Sequence, residues 1–504
     1  MASDTLTTGT LVRTTAGVVR GRRVGDLVAW RGIPYAAPPV GPLRLRAPQP
    51  VTPWSGELDA TEFGDAAVQH KKFTALRPGK YQPSSENCLT LNVLATPGTS
   101  GARPVMVFIH GGAYTLGMSA TALYGGQSLV RRGDIVYVSI NYRLGSLGYL
   151  DFTQFSTPER PFDSNLGLRD QVAALEWVQR NIAEFGGDPD NVTVFGESAG
   201  ANAVTTLMTT PAAKGLFARA IAESPPVASA YHPERAARWS REFLEIAGVP
   251  LSEAATWLET ADPADFVAAG TTLAHRGADE EPGTRAFAPV VDGFFLPTHP
   301  LDSFASGSGH PVPLIIGTNR HEGRVFPRFL NILPTDPTRI DKMFSHVDAS
   351  VKERAIAAYP GYPGRRAAAD LGGDVTFWEP SVLCAQGHTT VAPTYSYRYD
   401  FAPRLLHVLG LGATHATELY AVFGLTGPWA RLLTALGGRR GLRAVTDTVQ
   451  SHWLHFARHG TPAPGWPRYS PERRETLVID DTSRVENDPL GQRRRAWLGY
   501  EHRR

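Results

Sequence analysis

The stretch Val192-Thr193-Val194-Phe195-Gly196-Glu197-Ser198-Ala199-Gly200-Ala201-Asn202-Ala203-Val204 decides how the chain folds. Val192 to Phe195 is an apolar run of the kind buried on both faces of a parallel sheet. Ala199 to Val204 is small-residue sequence suited to opening a helix. Between them, Gly196-Glu197-Ser198-Ala199-Gly200 fits G-x-S-x-G, the sharp strand-to-helix turn that lifts a strained serine hydroxyl above a sheet. A plain Gly-Ser turn would satisfy those five residues alone. The flanking strand and helix make Ser198 a candidate nucleophile, and a helix N-terminus there favours negative charge.

Moving outward, Val105-Met106-Val107-Phe108-Ile109 and Ile135-Val136-Tyr137-Val138-Ser139-Ile140 are further buried runs. Leu168, Val172, Leu175, Val178, Ile182 and Phe185 recur in steps of three and four, one apolar stripe on a helix. Later strands are expected at Leu314-Ile315-Ile316 and Tyr395-Ser396-Tyr397-Arg398-Tyr399. Before them, Thr10 to Trp30 and Leu91 to Leu94 alternate apolar and polar, as short antiparallel strands do. Alternating strands and helices predict an α/β fold, a mostly parallel sheet with helices on both faces. Regions 230–285 and 325–385 read as helical insertions over the sheet's C-terminal edge, where such sheets bind ligands.

A nucleophile needs partners. Ile109-His110-Gly111-Gly112-Ala113-Tyr114 follows a buried strand, and small residues there let backbone N–H groups approach a developing oxyanion. Gly112, Ala113 and Ala199 are the candidate donors. The required order is Ser, acid, His. Glu322, in Gly317-Thr318-Asn319-Arg320-His321-Glu322-Gly323, follows a strand; His415, in Gly412-Ala413-Thr414-His415-Ala416-Thr417-Glu418, lies in a small-residue loop. Position alone leaves His321, His388 and His407 as rival bases and Asp292 as a rival acid.

Composition narrows the class. The 504 residues are 42% hydrophobic and 19% charged with a net charge of +2, and no basic stripe suggests nucleic acid. No apolar run is long enough to span a membrane, and Met1 to Thr15 lacks a signal-peptide core. The expectation is a cytoplasmic protein, with a secreted form whose signal has been trimmed left open. Two cysteines, Cys88 and Cys384, are too few for a disulfide framework. The Arg-rich end, with Arg493, Arg494, Arg495, Arg503 and Arg504, reads as a solvated tail. His452, His455 and His459 share one helix face but match no metal motif, and a structural helix is the expected reading. No phosphate-binding glycine loop is present.

Arg31-Gly32-Ile33-Pro34-Tyr35-Ala36, Ser85-Glu86-Asn87-Cys88-Leu89, Asn141-Tyr142-Arg143-Leu144-Gly145 and the block from Asn165 to Ala201 resemble the type-B carboxylesterases. That block includes Asp170-Gln171 and Phe185-Gly186-Gly187-Asp188-Pro189. The family includes bacterial p-nitrobenzyl esterases, animal carboxylesterases and cholinesterases. The resemblance implies one α/β-hydrolase domain over residues 1–504, with a short basic tail from about 491. It implies a serine carboxylesterase working through an acyl-enzyme on Ser198, with Glu322 and His415 completing the triad. No cofactor and no metal are expected; the partner is a small-molecule ester, and the protein a monomer or weak homo-oligomer.

The resemblance also implies a buried polar trio, Glu197, Ser224 and Glu418, beside the triad, and structural ion pairs Arg44 with Glu86 and Arg143 with Asp170. Cys88 has no earlier cysteine to pair with and is expected as a free thiol. Tyr114, Tyr231 and Phe287 are candidate pocket walls. The chain departs from the family pattern at His321, Ala416 and Glu223-Ser224-Pro225-Pro226, which touches pocket shape rather than reaction class. Rival readings are the same machinery acting on a lactone, thioester or amide, or as an acyltransferase, and a non-catalytic interaction protein.

Overall fold

A computed structural model describes residues 9–98 and 102–504. Among them, one eleven-stranded sheet carries the architecture. Its strands are β1 (Arg22–Val24), β2 (Leu27–Pro34), β3 (Thr90–Ala95), β4 (Arg103–Ile109), β5 (Val136–Ile140), β6 (Gly187–Glu197), β7 (Arg219–Glu223), β8 (Leu314–Asn319), β9 (Thr394–Tyr399), β10 (Glu475–Ile479) and β11 (Arg484–Asn487). They lie in the order β11-β10-β9-β8-β7-β6-β4-β5-β3-β2-β1. Strands β4 to β10 pair in parallel, and the pairs at both edges are antiparallel. A separate small sheet joins Leu11–Thr14, Gly17–Arg20 and Glu57–Asp59.

The continuous apolar runs follow from burial of both faces. Val105, Val107, Ile109 and Val194 project into one core with Leu168, Val172, Leu175 and Val178 of the helix Leu166–Asn181. Met106, Phe108 and Phe195 project the other way, against Val445, Val449, Trp453 and Phe456 of the helix Arg439–His459. The period-2 alternation of a strand sends neighbours to opposite faces, so both parities must be apolar.

Helices Pro233–Ile246, Ala254–Thr260 and Pro263–Glu280 fill the first expected insertion. The second contains Arg365–Gly373 and Glu379–His388, joined by a π-helical turn over Asp374–Trp378. The ion pairs stand as the resemblance implied. Arg143 grips Asp170 through Nε at 2.8 Å and Nη2 at 2.6 Å, fully buried, and Arg44 Nε donates to Glu86 at 2.8 Å. Cys88 and Cys384 are buried free thiols. No helix among the described residues is long and apolar enough to cross a membrane.

The basic end corrects the sequence reading. Gly491–Ala496 is a short helix, and Trp497 is 2% exposed in a cluster with Ile340, Phe344, Tyr359 and Leu371. Arg493 pairs with Asp374, Arg494 with Asp488 and Arg504 with Asp302. The tail is docked because one aromatic side chain supplies burial and acidic partners meet its arginines; charge counting along the sequence sees neither.

Candidate active site

Strand register assembles the site. Phe108 and Ile109 of β4 lie opposite Phe195 and Gly196 of β6, so the loop from His110 and the turn at Ser198 leave the sheet side by side. β4 also pairs with β5 on its other flank. The chain therefore reverses its order here, at the crevice where open α/β sheets bind ligands.

Ser198 sits at φ 59°, ψ −122°, a strained conformation for a side-chain-bearing residue. Its amide donates to Glu223 O on β7 at 2.8 Å, fixing the turn. The helix Ala199–Leu207 starts directly after it. Gly200 is required: a Cβ there would lie 2.0 Å from Ile109 O. The added Cβ of Gly111 would meet Glu197 Oε2 at 2.8 Å and Ser198 Cβ at 2.9 Å, so the β4 loop runs against the serine.

That loop is left-handed at Gly112 (φ 116°), Ala113 (φ 53°) and Tyr114 (φ 57°). A Cβ on Gly112 would lie 2.1 Å from Leu116 O. The amides of Gly112, Ala113 and Ala199 have no acceptor among the described residues, so all three are free donors in this loop and at the start of the helix after Ser198. His110 braces the loop, with Nδ1 2.9 Å from Gly111 O and its ring stacked on Tyr142. Burial lowers its pKa to about 4 despite the Gly111 contact, so it stays neutral.

Glu322 follows β8 and His415 follows β9, two strands that are neighbours in the sheet. Glu322 Oε2 lies 2.5 Å from His415 Nδ1. Its other oxygen accepts from Asn319 N at 2.6 Å and Ser224 Oγ at 2.7 Å. His415 Nε2 is 3.1 Å from Glu197 Oε1, and neither atom has a hydrogen-bond partner among the described residues. No hydrogen bond joins Ser198 to His415 in this structure; the residue that His415 Nε2 meets is Glu197, directly before Ser198 in the chain. Burial opposes charge on His415, but the carboxylates of Glu197 and Glu322 outweigh it and raise the imidazole above its ordinary value. Burial, with Glu322 adding repulsion and His415 opposing, pushes Glu197 up in turn.

The implied polar trio divides. Ser224 Oγ bridges Glu322 and Glu418, at 2.7 and 3.1 Å. Glu418 also accepts from Asn319 Nδ2. Glu197 instead faces His415. Among the rivals, Asp292 caps the turn Phe294 to Leu296, His388 Nε2 contacts Val312 O, and His321 faces Asp370 at 3.4 Å. His407 ends a short helix. None of the four meets Ser198. His455 and His459 rings touch at 4.4 Å while His452 packs on Trp466. No group of three metal-ligating side chains forms among the described residues.

A cavity of about 330 Å³ lies next to the loop after β4, walled by Leu116, Leu147, Phe266, Phe287, Phe329 and Ile332. Phe287 is thus a wall. Tyr114 is buried, stacked on Tyr149, with its hydroxyl on Asn202 Oδ1 at 2.7 Å. Tyr231 is buried against Trp239, and its hydroxyl accepts from Arg285 N. Both tyrosines are framework, not walls of that cavity. Sequence reasoning did not single out Asn319, which holds both Glu322 and Glu418, or Phe326 and Phe377. The Phe377 ring stacks on His415 at 4.4 Å and Phe326 lies at 5.1 Å. Asn319 carried one signal, its place three residues before Glu322 at a strand end; Phe377, brought in by the π-helical turn, carried none.

An open, mostly parallel sheet with a strained serine after one strand, an acid after the second next and a histidine after the following one defines an α/β-hydrolase. The model of the "Carboxylesterase family" matches residues 8–497, and the chain belongs to that family. It is 37% identical to the para-nitrobenzyl esterase of Bacillus subtilis (strain 168), over 96% of this chain and 97% of that one. It is 35% identical to the fumonisin B1 esterase of Sphingopyxis macrogoltabida, over 95% and 88%. Among solved structures, a thermophilic PNB esterase superposes with a TM-score of 0.87 at 36% identity, covering 97% of this chain and all of the other. The protein is a carboxylic-ester hydrolase.

Proposed function

We propose that hydrolysis runs through an acyl-enzyme on Ser198. Ser198 Oγ attacks the ester carbonyl as His415 Nε2 takes its proton. Glu322, 2.5 Å from Nδ1, holds the tautomer and stabilises the imidazolium. The oxyanion is met by the amides of Gly112, Ala113 and Ala199, each worth about 3 kcal/mol. His415 returns the proton to the departing alkoxide. Water activated by the same imidazole then releases the acid. The observation that carries the reading is Glu322 fixed by three donors, with His415 Nε2 left without a hydrogen-bond partner and turned towards Glu197, the residue before Ser198.

The apolar cavity and the para-nitrobenzyl esterase relative support small esters with aryl or medium alkyl parts. The shared sheet and docked tail support the whole chain acting as one unit. Buried free thiols suit a cytoplasmic protein, monomeric or weakly self-associating. A fluorophosphonate probe should label Ser198, and Ser198→Ala should lose both labelling and at least about 10⁴-fold in kcat while keeping its circular dichroism. Near-native turnover of p-nitrophenyl esters by that variant would overturn the mechanism.

A further inference from the structure

Arg285 is a partly buried cation beside the site with no carboxylate. Its Nη1 donates to Ser229 Oγ at 2.5 Å, and its backbone N donates to the Tyr231 hydroxyl at 2.9 Å. The rest of its guanidinium meets no acceptor among the described residues. Several neighbouring arginines do meet carboxylates: Arg235 and Arg238 with Glu281, Arg324 with Asp370, and Arg339 with Asp279. Burial lowers its pKa, with only the Tyr231 phenol opposing. An uncompensated guanidinium in such a place costs stability unless something answers it.

Its position ties it to the reacting groups from two sides. Cζ lies 6.0 Å from the centroid of Phe377, the ring stacked on His415. Ser229 belongs to the loop that begins with Ser224, whose hydroxyl bonds Glu322. Two residues beyond Arg285, Phe287 walls the cavity. That cavity carries a second signal. Its lining includes the cations Lys72 and Arg328, and no Asp or Glu. Walls of one sign raise the local concentration of oppositely charged solutes and speed their arrival.

We propose that the enzyme takes esters bearing a carboxylate in addition to the scissile ester, and that Arg285 receives that carboxylate. The proposal rests on the serine-esterase reading above. The planar guanidinium fork matches a carboxylate in two parallel N–H···O bonds. A neutral ester would leave Arg285 unanswered, and a site built around a polar partner rejects the analogue that lacks it.

The test compares matched esters on the intact enzyme at low ionic strength. Ethyl hydrogen adipate is set against ethyl hexanoate, and 6-acetoxyhexanoate against hexyl acetate, so that the carboxylate lies on the acyl or the alcohol side. At least one anionic ester should exceed its neutral partner in kcat/KM by about tenfold or more; the pair that does so identifies the side facing Arg285. Arg285→Met should collapse that ratio towards one, and Arg285→Lys should restore part of it. Each ratio is taken within one enzyme preparation, so partial loss of folded protein cancels. Wild-type ratios at or below one for both pairs, with Ser198 still labelled by fluorophosphonate, would overturn the carboxylate site and leave the esterase mechanism standing. So would an unchanged ratio in Arg285→Met. Failure of all four esters together with loss of labelling would instead overturn the mechanism.

Discussion

His415 lies between two carboxylates: Nε2 is 3.1 Å from Glu197 Oε1 while Nδ1 is 2.5 Å from Glu322. The second contact is the one a triad needs. The first comes from the residue directly before Ser198 and sets a carboxyl group against the ring nitrogen that accepts the proton in the proposed mechanism.

That arrangement fixes a pH dependence. His415 is raised above its ordinary value because the two carboxylates outweigh the cost of burial. It is a base only when neutral, so kcat/KM should rise with pH through a limb lying above 6.5, the usual histidine value. Glu197→Gln removes one of the charges and should move the limb to lower pH by about one unit or more. The limb is read from kcat/KM against pH with a neutral ester. An unmoved limb would show that Glu197 does not act on the base.

Gly112→Ala should disable the oxyanion loop without unfolding the sheet. Gly112 has φ 116°, and an added Cβ would lie 2.1 Å from Leu116 O, so the loop must shift. Losing one aligned donor costs about 3 kcal/mol, so kcat should fall on the order of 10²-fold. Stopped assays with a p-nitrophenyl ester measure it, with Tm as the control for folding. Retention of full kcat would remove Gly112 from the donor set.

Trp497→Ala tests the docked end. Its ring stacks on Phe344 at 5.7 Å, its Nε1 donates to the Tyr359 hydroxyl at 2.9 Å, and it is 2% exposed. Truncating such a residue costs about 3–5 kcal/mol. Denaturant unfolding should show that loss if the end unfolds together with the rest of the chain. A change below about 0.5 kcal/mol, the size of a surface substitution, would mean the tail contributes nothing.

The sequence by itself determined the central strands, the strand–serine–helix turn and the glycines around it. Those features are local: two-sided burial requires apolar residues at both parities of Val105–Ile109 and Val192–Phe195, and the turn leaves room only for glycine at Gly200. Chain order also offered Glu322 as an acid after a strand and His415 among several candidate histidines, and the family resemblance singled the two out. The tertiary structure alone decided which carboxylate faces His415 Nε2 and that the Arg-rich end docks. It alone placed Phe377 on the imidazole and left Arg285 without an acid. Each of these depends on distances between elements far apart in the chain. Such distances are set by how helices and loops settle over the sheet, and no spacing along the chain encodes them.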